Sequence, residues 1–525
     1  MQDLELSEGD FQPHTSDDEI AFRLKPTEEQ EEIADEIQDL LTKIPSLKDS
    51  YELVDRLGTG TFSSVFKAID LNYENWDNRL WEGVPPNEVF SPSSPTRRPQ
   101  KPVYVAIKRI IVTSSPRRIL NELLIMETCR GCRHVAQIIT AYRVEDQIVA
   151  IMPYQRSVDI KDLMRDLSIY GIRQYFRCMF RALRDIHARG IIHRDLKPAN
   201  FLYDPIENTG KMVDFGLAEE FSWEEERDSG CRHTAPIHSA PHGIMKDGVK
   251  WTNLHRKAIK LSRDRSELPA ENVGWPTDDT RPVLKANRAG TRGFRAPEVL
   301  FKCMFQTPAV DIWSAGTILL FFLTKKSPIF TATTDMHALL EQALILGKAT
   351  MEEVASLHCR TFATNIPEVQ DRTPWIDFVR KLNPSLFAFE GAIHSPPRTE
   401  EEAEDVKEAR LILEACDLLD HCLDPNSVRR ITARDALYHP FLAPDLDELT
   451  TANEHSIELD EDQLFPHPPG YGVCESHHRQ TEGGDWVVFV GVNEKGDEEW
   501  EPIEAGQGQA IGSRPCEFHE DFYYN

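Results

Sequence analysis

Four short strings, in a fixed order, constrain this chain more than anything else in it. VAIK ends at Lys108, HRDLKPAN occupies residues 193–200, DFG occupies 214–216, and APE ends at Glu298. Ahead of them lies GTGTFSSVF, whose Gly58 and Gly60 alone say little, because glycine pairs in strand turns usually just relieve the backbone. The surrounding patterns set the context. YELVDRLGTGTFSSVFKAID reads as two strands about a glycine turn, and PVYVAIKRI as a further strand. Beyond Ile119 the apolar spacing becomes helical, strongly so from about Tyr170 to Arg189, and stays mostly helical to Leu442. The expected fold class is α+β, with a β-rich first part and a helical second part.

Composition narrows the possibilities. Among 525 residues the longest apolar runs, such as GTILLFFLT, fall far short of the roughly 20 residues that a membrane span needs. No membrane partner is expected. The acidic start MQDLELSEGDF lacks the basic and apolar stretches of a secretion signal, so an intracellular protein is expected. Ten scattered cysteines do not resemble a disulfide framework. A net charge of −28 argues against direct nucleic-acid binding, which relies on Lys and Arg.

In this order and context the strings resemble the signature set of the eukaryotic protein kinases over about residues 51–442. The resemblance implies a bilobal fold and the cofactors ATP and Mg²⁺. Gly58 and Gly60 would close over the phosphates, with Ser63 where a third glycine is usual, and Val65, Ala106, Met152 and Tyr154 would line the adenine. Lys108 would hold the α- and β-phosphates, aimed by a carboxylate from the next helix, either Glu122 or Glu127. Asp195 would orient the attacking hydroxyl, while Asn200 and Asp214 hold the metal. Lys197 follows the serine/threonine-kinase pattern, and Thr291 stands where such kinases place a threonine that bonds the catalytic loop. Glu298 would pair with a buried Arg430. A pseudokinase would lack at least one of the lysine, the catalytic Asp and the metal Asp; all are present.

DFGLAEE and GTRGFRAPEVL are the two ends of one activation segment, interrupted by an insertion at about 221–287. A second insertion is expected at about 72–101. GTGTFSSVF, MPY, KPANFLYD, VDFGLAEE and NRAGTRGFRAPEVL together resemble the cell division control protein 7 kinases, of fungal type. That resemblance implies a nuclear kinase bound by an activating regulatory subunit and acting on minichromosome maintenance helicase subunits. A segment this long is not expected to hold its own ends in place, so the partner is expected to contact the insert and the helix of Glu122. Arg292 and Arg295 lie beside the residue after the target hydroxyl and would select acidic or phosphorylated substrates. For Arg295 an internal ion pair is an equal alternative.

Three further features stand out. Within the insert Cys231, His233, His238 and His242 have the spacing of a zinc site, against the plainer reading of a solvated loop. Cys129, Cys132 and His134 lack a second ligand pair and more simply end the helix of Glu122. Residues 1–50 form an acidic extension with one amphipathic helix, read as packing on the following domain, and residues 443–525 an acidic tail with a hairpin turning at 493–496.

Overall fold

A computed structural model describes residues 25–60, 63–73, 102–110, 116–130, 132, 134–221, 231, 233, 260, 290–358, 360–394 and 396–443. It also describes the backbone at 478–480, 486–492 and 498–502. Most of both expected insertions therefore lies outside the described residues. The chain forms two compact units, one of residues 1–119 with 138–154 and the other of 120–137 with 155–525.

In the first unit the strand patterns pair as expected. Strands β1 (Tyr51–Thr59), β2 (Ser63–Asp70), β3 (Tyr104–Ile110), β4 (Thr140–Val144) and β5 (Gln147–Pro153) form one antiparallel sheet in the order β1-β2-β3-β5-β4. The apolar stripe of α1 (Thr27–Lys43) covers one face, where Leu40 and Ile44 join Phe66, Ile107, Val149 and Ile151 in a core cluster. Each such buried side chain contributes about 1.5–3 kcal/mol. The polar side of α1 is tied down too, through Arg56 to Glu32 and Glu36 at 3.0 Å and Arg109 to Asp39 at 2.8 Å, and Lys25 just before the helix bonds Asp55 at 2.7 Å. The helix is thus an integral part of this unit rather than a free arm.

The second unit is built around α6 (Ala309–Thr324), buried along nearly its whole length, with Trp313 and Leu319 fully inaccessible. Beside it runs α4 (Ile169–Ala188), whose Tyr175 and Phe176 stack on Phe322, Phe201 and Tyr203. Ser168 caps α4 by accepting from the Gly171 amide. A short strand pair, β7 (Phe201–Asp204) with β8 (Thr209–Met212), follows the catalytic-loop string, while α10 (Glu400–Cys422) packs on α6. In the tail β11 (Trp486–Val492) pairs antiparallel with β12 (Glu498–Pro502), and a third strand, β10 (His478–Gln480), which sequence did not suggest, joins β11. The turn residues 493–497 lie outside the described set.

Candidate active site

In the first unit β1 and β2 meet at Gly58 and Val65, and the Gly60 amide donates to the Ser63 carbonyl at 2.7 Å. A Cβ at Gly58 would meet nothing within 4 Å, so the turn leaves open space that a phosphate can enter. Lys108 lies on β3 opposite Val65, and Ala106 opposite Met152; Lys108 is buried. The Tyr154 amide donates to the Tyr104 carbonyl at 3.2 Å, which fixes Tyr154, expected at the adenine, against the start of β3. Sequence reading missed Lys67. It is 2% exposed, and its ammonium lies 4.0 Å from the ring centroids of both Tyr104 and Tyr154, a desolvated cation–π arrangement. Nothing in local sequence marks it, because the rings come from other strands.

The second unit holds the rest. On α2 (Pro116–Thr128) Glu122 is buried, whereas Glu127 is half exposed and ion-paired to Arg130 at 2.5 Å. His134 turns its ring to the Gly210 carbonyl at 3.0 Å, and burial pushes it down to about 3. Gln137 gathers the carbonyls of Cys129, Cys132 and Val135. This stretch ends the helix and packs, as the plainer reading expected.

The Asp195 carboxylate accepts from four donors. Its Oδ1 accepts from the Thr291 amide at 2.7 Å and the Thr291 hydroxyl at 2.8 Å. Its Oδ2 accepts from Lys197 Nζ at 2.7 Å and from Asn200 Nδ2 at a longer 3.3 Å. The Asn200 amide nitrogen also donates to the Asp195 carbonyl at 2.8 Å, so its oxygen is left as the ligand atom. The Val213 amide donates to the Asn200 carbonyl at 2.9 Å, which sets Asp214 next to it. Asp214 has a left-handed backbone (φ 65°) and an exposed position, while Phe215 is buried against His193. An amide oxygen and an exposed carboxylate on adjacent segments are hard oxygen donors and fit Mg²⁺.

Asp311, on α6, was not singled out in the sequence. It is fully buried, and its carboxylate accepts from the backbone amides of His193 and Arg194, both at 2.8 Å, and from His187 at 2.9 Å. Burial works to raise its pKa, but the His187 hydrogen bond and charge outweigh that and hold it below the usual carboxylate range. Glu298 and Arg430 form the expected bidentate pair at 2.7 and 3.0 Å, with side chains 2% and 0% exposed.

Both ends of the activation segment are fixed by the chain itself, contrary to expectation. Strand β9 (Glu219–Glu220) pairs with β6 (Ile191–Ile192), the Phe221 amide donates to Gly190, and Glu219 bonds Arg194. At the far end Gly290 and Thr291 seat on Arg194 and Asp195. Arg295 is engaged internally, bonding the Gly290 carbonyl at 2.7 and 3.0 Å and Asp335 at 2.6 Å. Arg292 is 38% exposed and touches the same Asp335 carboxylate at 3.3 Å. The expected zinc ligands do not come from one loop. Cys231 and His233 meet Cys303 and His358, while His238 and His242 lie outside the described residues.

The Protein kinase domain family matches residues 96–248 and 275–442, more than half of the chain. The cell cycle serine/threonine-protein kinase hsk1 of Schizosaccharomyces pombe is 40% identical over 452 residues, covering 82% of each chain. The probable cell division control protein 7 homolog 1 of Encephalitozoon cuniculi is 32% identical, covering 78% of this chain and 96% of its own. The chain belongs to the cell division control protein 7 family of protein kinases. The human cell division cycle 7-related protein kinase, at 26% identity over 77% of this chain and 92% of its own, extends the likeness beyond fungi. This is therefore a serine/threonine cell-cycle kinase of the α+β protein-kinase class, a class whose members in general use ATP and Mg²⁺.

Proposed function

We propose that this kinase transfers the ATP γ-phosphate to Ser or Thr hydroxyls followed by an acidic or phosphorylated residue. We propose minichromosome maintenance helicase subunits as the substrates and the nucleus as the place. The observation that supports the catalytic assignment best is the four-donor cradle around Asp195. The substrate hydroxyl donates a hydrogen bond to Asp195 Oδ2, whose Asn200 contact is the longest of the four. The hydroxyl oxygen then bonds to the γ-phosphorus, the proton passes to Asp195, and ADP leaves. Lys197 lies beside the same oxygen and also donates to Thr291 at 3.2 Å, so it keeps the carboxylate positioned. Asn200 and Asp214 would hold Mg²⁺, which when bound neutralises phosphate charge. Gly58, Gly60 and Lys108 are assigned to the phosphates, Val65, Ala106, Met152 and Tyr154 to the adenine, and Glu122 to aiming Lys108.

Charge around Asp335 supports the acidic preference. Two guanidinium groups share that one carboxylate, which leaves a net positive charge, and Arg292 is the more exposed of the pair. A carboxylate or phosphate there would meet a planar, bidentate donor. A regulatory subunit is part of the proposal, but its reason shifts from the self-held segment ends to α2. There Leu120 and Leu124, one turn apart, are 57% and 54% exposed and offer a partner an apolar anchor beside Glu122.

Replacing Asp195 by Asn keeps the shape and removes the positioned base. Turnover on a Ser-Asp peptide should fall by at least about 10²-fold with melting unchanged. Equal turnover would refute the assignment, and a wild type that transfers nothing even with its partner would favour a pseudokinase scaffold.

A further inference from the structure

Cys231 stands at the start of the activation-segment insertion, Cys303 in the loop after α5 (Pro297–Leu300), and His358 just past α8 (Lys348–Leu357). All three are buried, at 1%, 2% and 1% exposure. With His233 they bring two sulfurs and two imidazole nitrogens within 4.8 Å of one another. The two sulfurs are 3.9 Å apart, and Cys231 Sγ lies 3.0 Å from His233 Nδ1. A tetrahedral zinc with Zn–S of about 2.3 Å separates its sulfurs by about 3.8 Å. A disulfide would need about 2.05 Å.

Two details show that the cluster is built for a ligand. His233 Nε2 faces the Phe305 carbonyl at 2.8 Å, which places the proton on Nε2 and turns the lone pair of Nδ1 toward the sulfurs. That is the outer-shell contact that metal-binding histidines make. His358 is buried, and neither ring nitrogen meets a hydrogen-bonding oxygen or nitrogen; its polar neighbour is the Cys231 sulfur, so the ring is turned toward the cluster.

We propose that Cys231, His233, Cys303 and His358 bind one structural Zn²⁺ in a closed tetrahedral site. Each thiol gives up its proton on binding, so two thiolates balance the dication and the site is neutral. Two soft sulfurs with two imidazoles suit zinc rather than magnesium or calcium. The site closes a loop of 72 residues between Cys231 and Cys303 and ties the onset of the insertion to the segment carrying Glu298. Metal clips across loops of this length have the most chain entropy to remove.

The test uses the full-length chain without a histidine tag, purified from zinc-containing medium and assayed for metal by atomic emission. About one zinc per chain is expected, falling roughly tenfold in C303S and in H358A and staying at about one in the double variant H238A/H242A. Co²⁺-substituted wild type should show thiolate-to-cobalt charge transfer and tetrahedral visible bands, a readout that needs no variant. A wild type with essentially no zinc and no such cobalt spectrum would overturn the proposal. So would full zinc in C303S, loss of zinc in H238A/H242A, or a Cys231–Cys303 disulfide in the non-reduced protein.

Discussion

Gly290 is where the folded geometry makes its sharpest demand on one residue. Its φ of +92° is one that side-chain-bearing residues rarely adopt. A Cβ added there would sit 2.3 Å from the Arg194 carbonyl oxygen and 3.4 Å from its carbon. Ordinary contact for such a pair is about 3.5 Å, so Gly290→Ala must push the two backbones apart by roughly 1 Å. The clash lies one peptide bond from each half of the contact that holds Asp195, because Thr291, which follows Gly290, donates twice to Asp195, which follows Arg194. A misplacement of about 1 Å at reacting groups costs on the order of 10²-fold in turnover. Stability should suffer less, by about 1–3 kcal/mol, since the strain is confined to one backbone position. The assay is kcat on a Ser-Asp peptide alongside a urea melt. G290A with wild-type kcat would refute the view that this carbonyl contact sets the Asp195 geometry. A loss of kcat that merely tracked unfolding would refute it equally.

Other outcomes follow from buried charges and the exposed arginine. Arg430→Met strands Glu298 without its partner and should cost about 3–5 kcal/mol in the urea melt, a far larger loss than any surface pair would give. Glu298 and Asp311 both titrate below their usual ranges; for each, burial raises the pKa, but Arg430 and His187 respectively outweigh it. A depressed folded pKa gives stability that is complete above the unfolded values near 4 and lost as pH falls through the folded ones. Asp311→Asn should therefore show a shallower acid loss of stability than wild type, and identical slopes would refute the assignment. Arg292→Glu should reverse the preference for Ser-Asp over Ser-Lys peptides, with about 1.5–3 kcal/mol lost on the acidic one. Equal use of both peptides by wild type would remove the acid-reading role.

What sequence revealed and what it hid divide along the range of the interactions. The sheet, α1 and the Asp195–Asn200 loop are local patterns, and their spacing was enough. Glu298 and Arg430, 132 residues apart, were found because each sits in a recognisable string. Asp311 was not, because its carboxylate acts on the backbone amides of residues 117 and 118 positions away, and a helical aspartate has no distinguishing neighbourhood. Lys67 was missed for the same reason. The cysteine and histidine cluster marks the reach of a local reading. Four candidate ligands within one loop suggested one loop's site, whereas the fold places two of them beside Cys303 and His358 from distant elements.

The long insertion is tolerated because of where its ends are held. The outgoing end is pinned by the β6–β9 pairing and by Phe221 on Gly190, and the returning end by Gly290 on Arg194 and Thr291 on Asp195. Both ends therefore close on one stretch, residues 190–195, whatever the length between them. Loop-closure cost grows only with the logarithm of length, so doubling such a segment adds about 0.6 kcal/mol. The contacts holding each end far exceed that increment. Length in the insertion is thus nearly free in stability, and the geometry around Asp195 does not depend on it. The self-held ends therefore give the proposed regulatory subunit no task there, which is why the proposal rests on the exposed Leu120 and Leu124 of α2 instead.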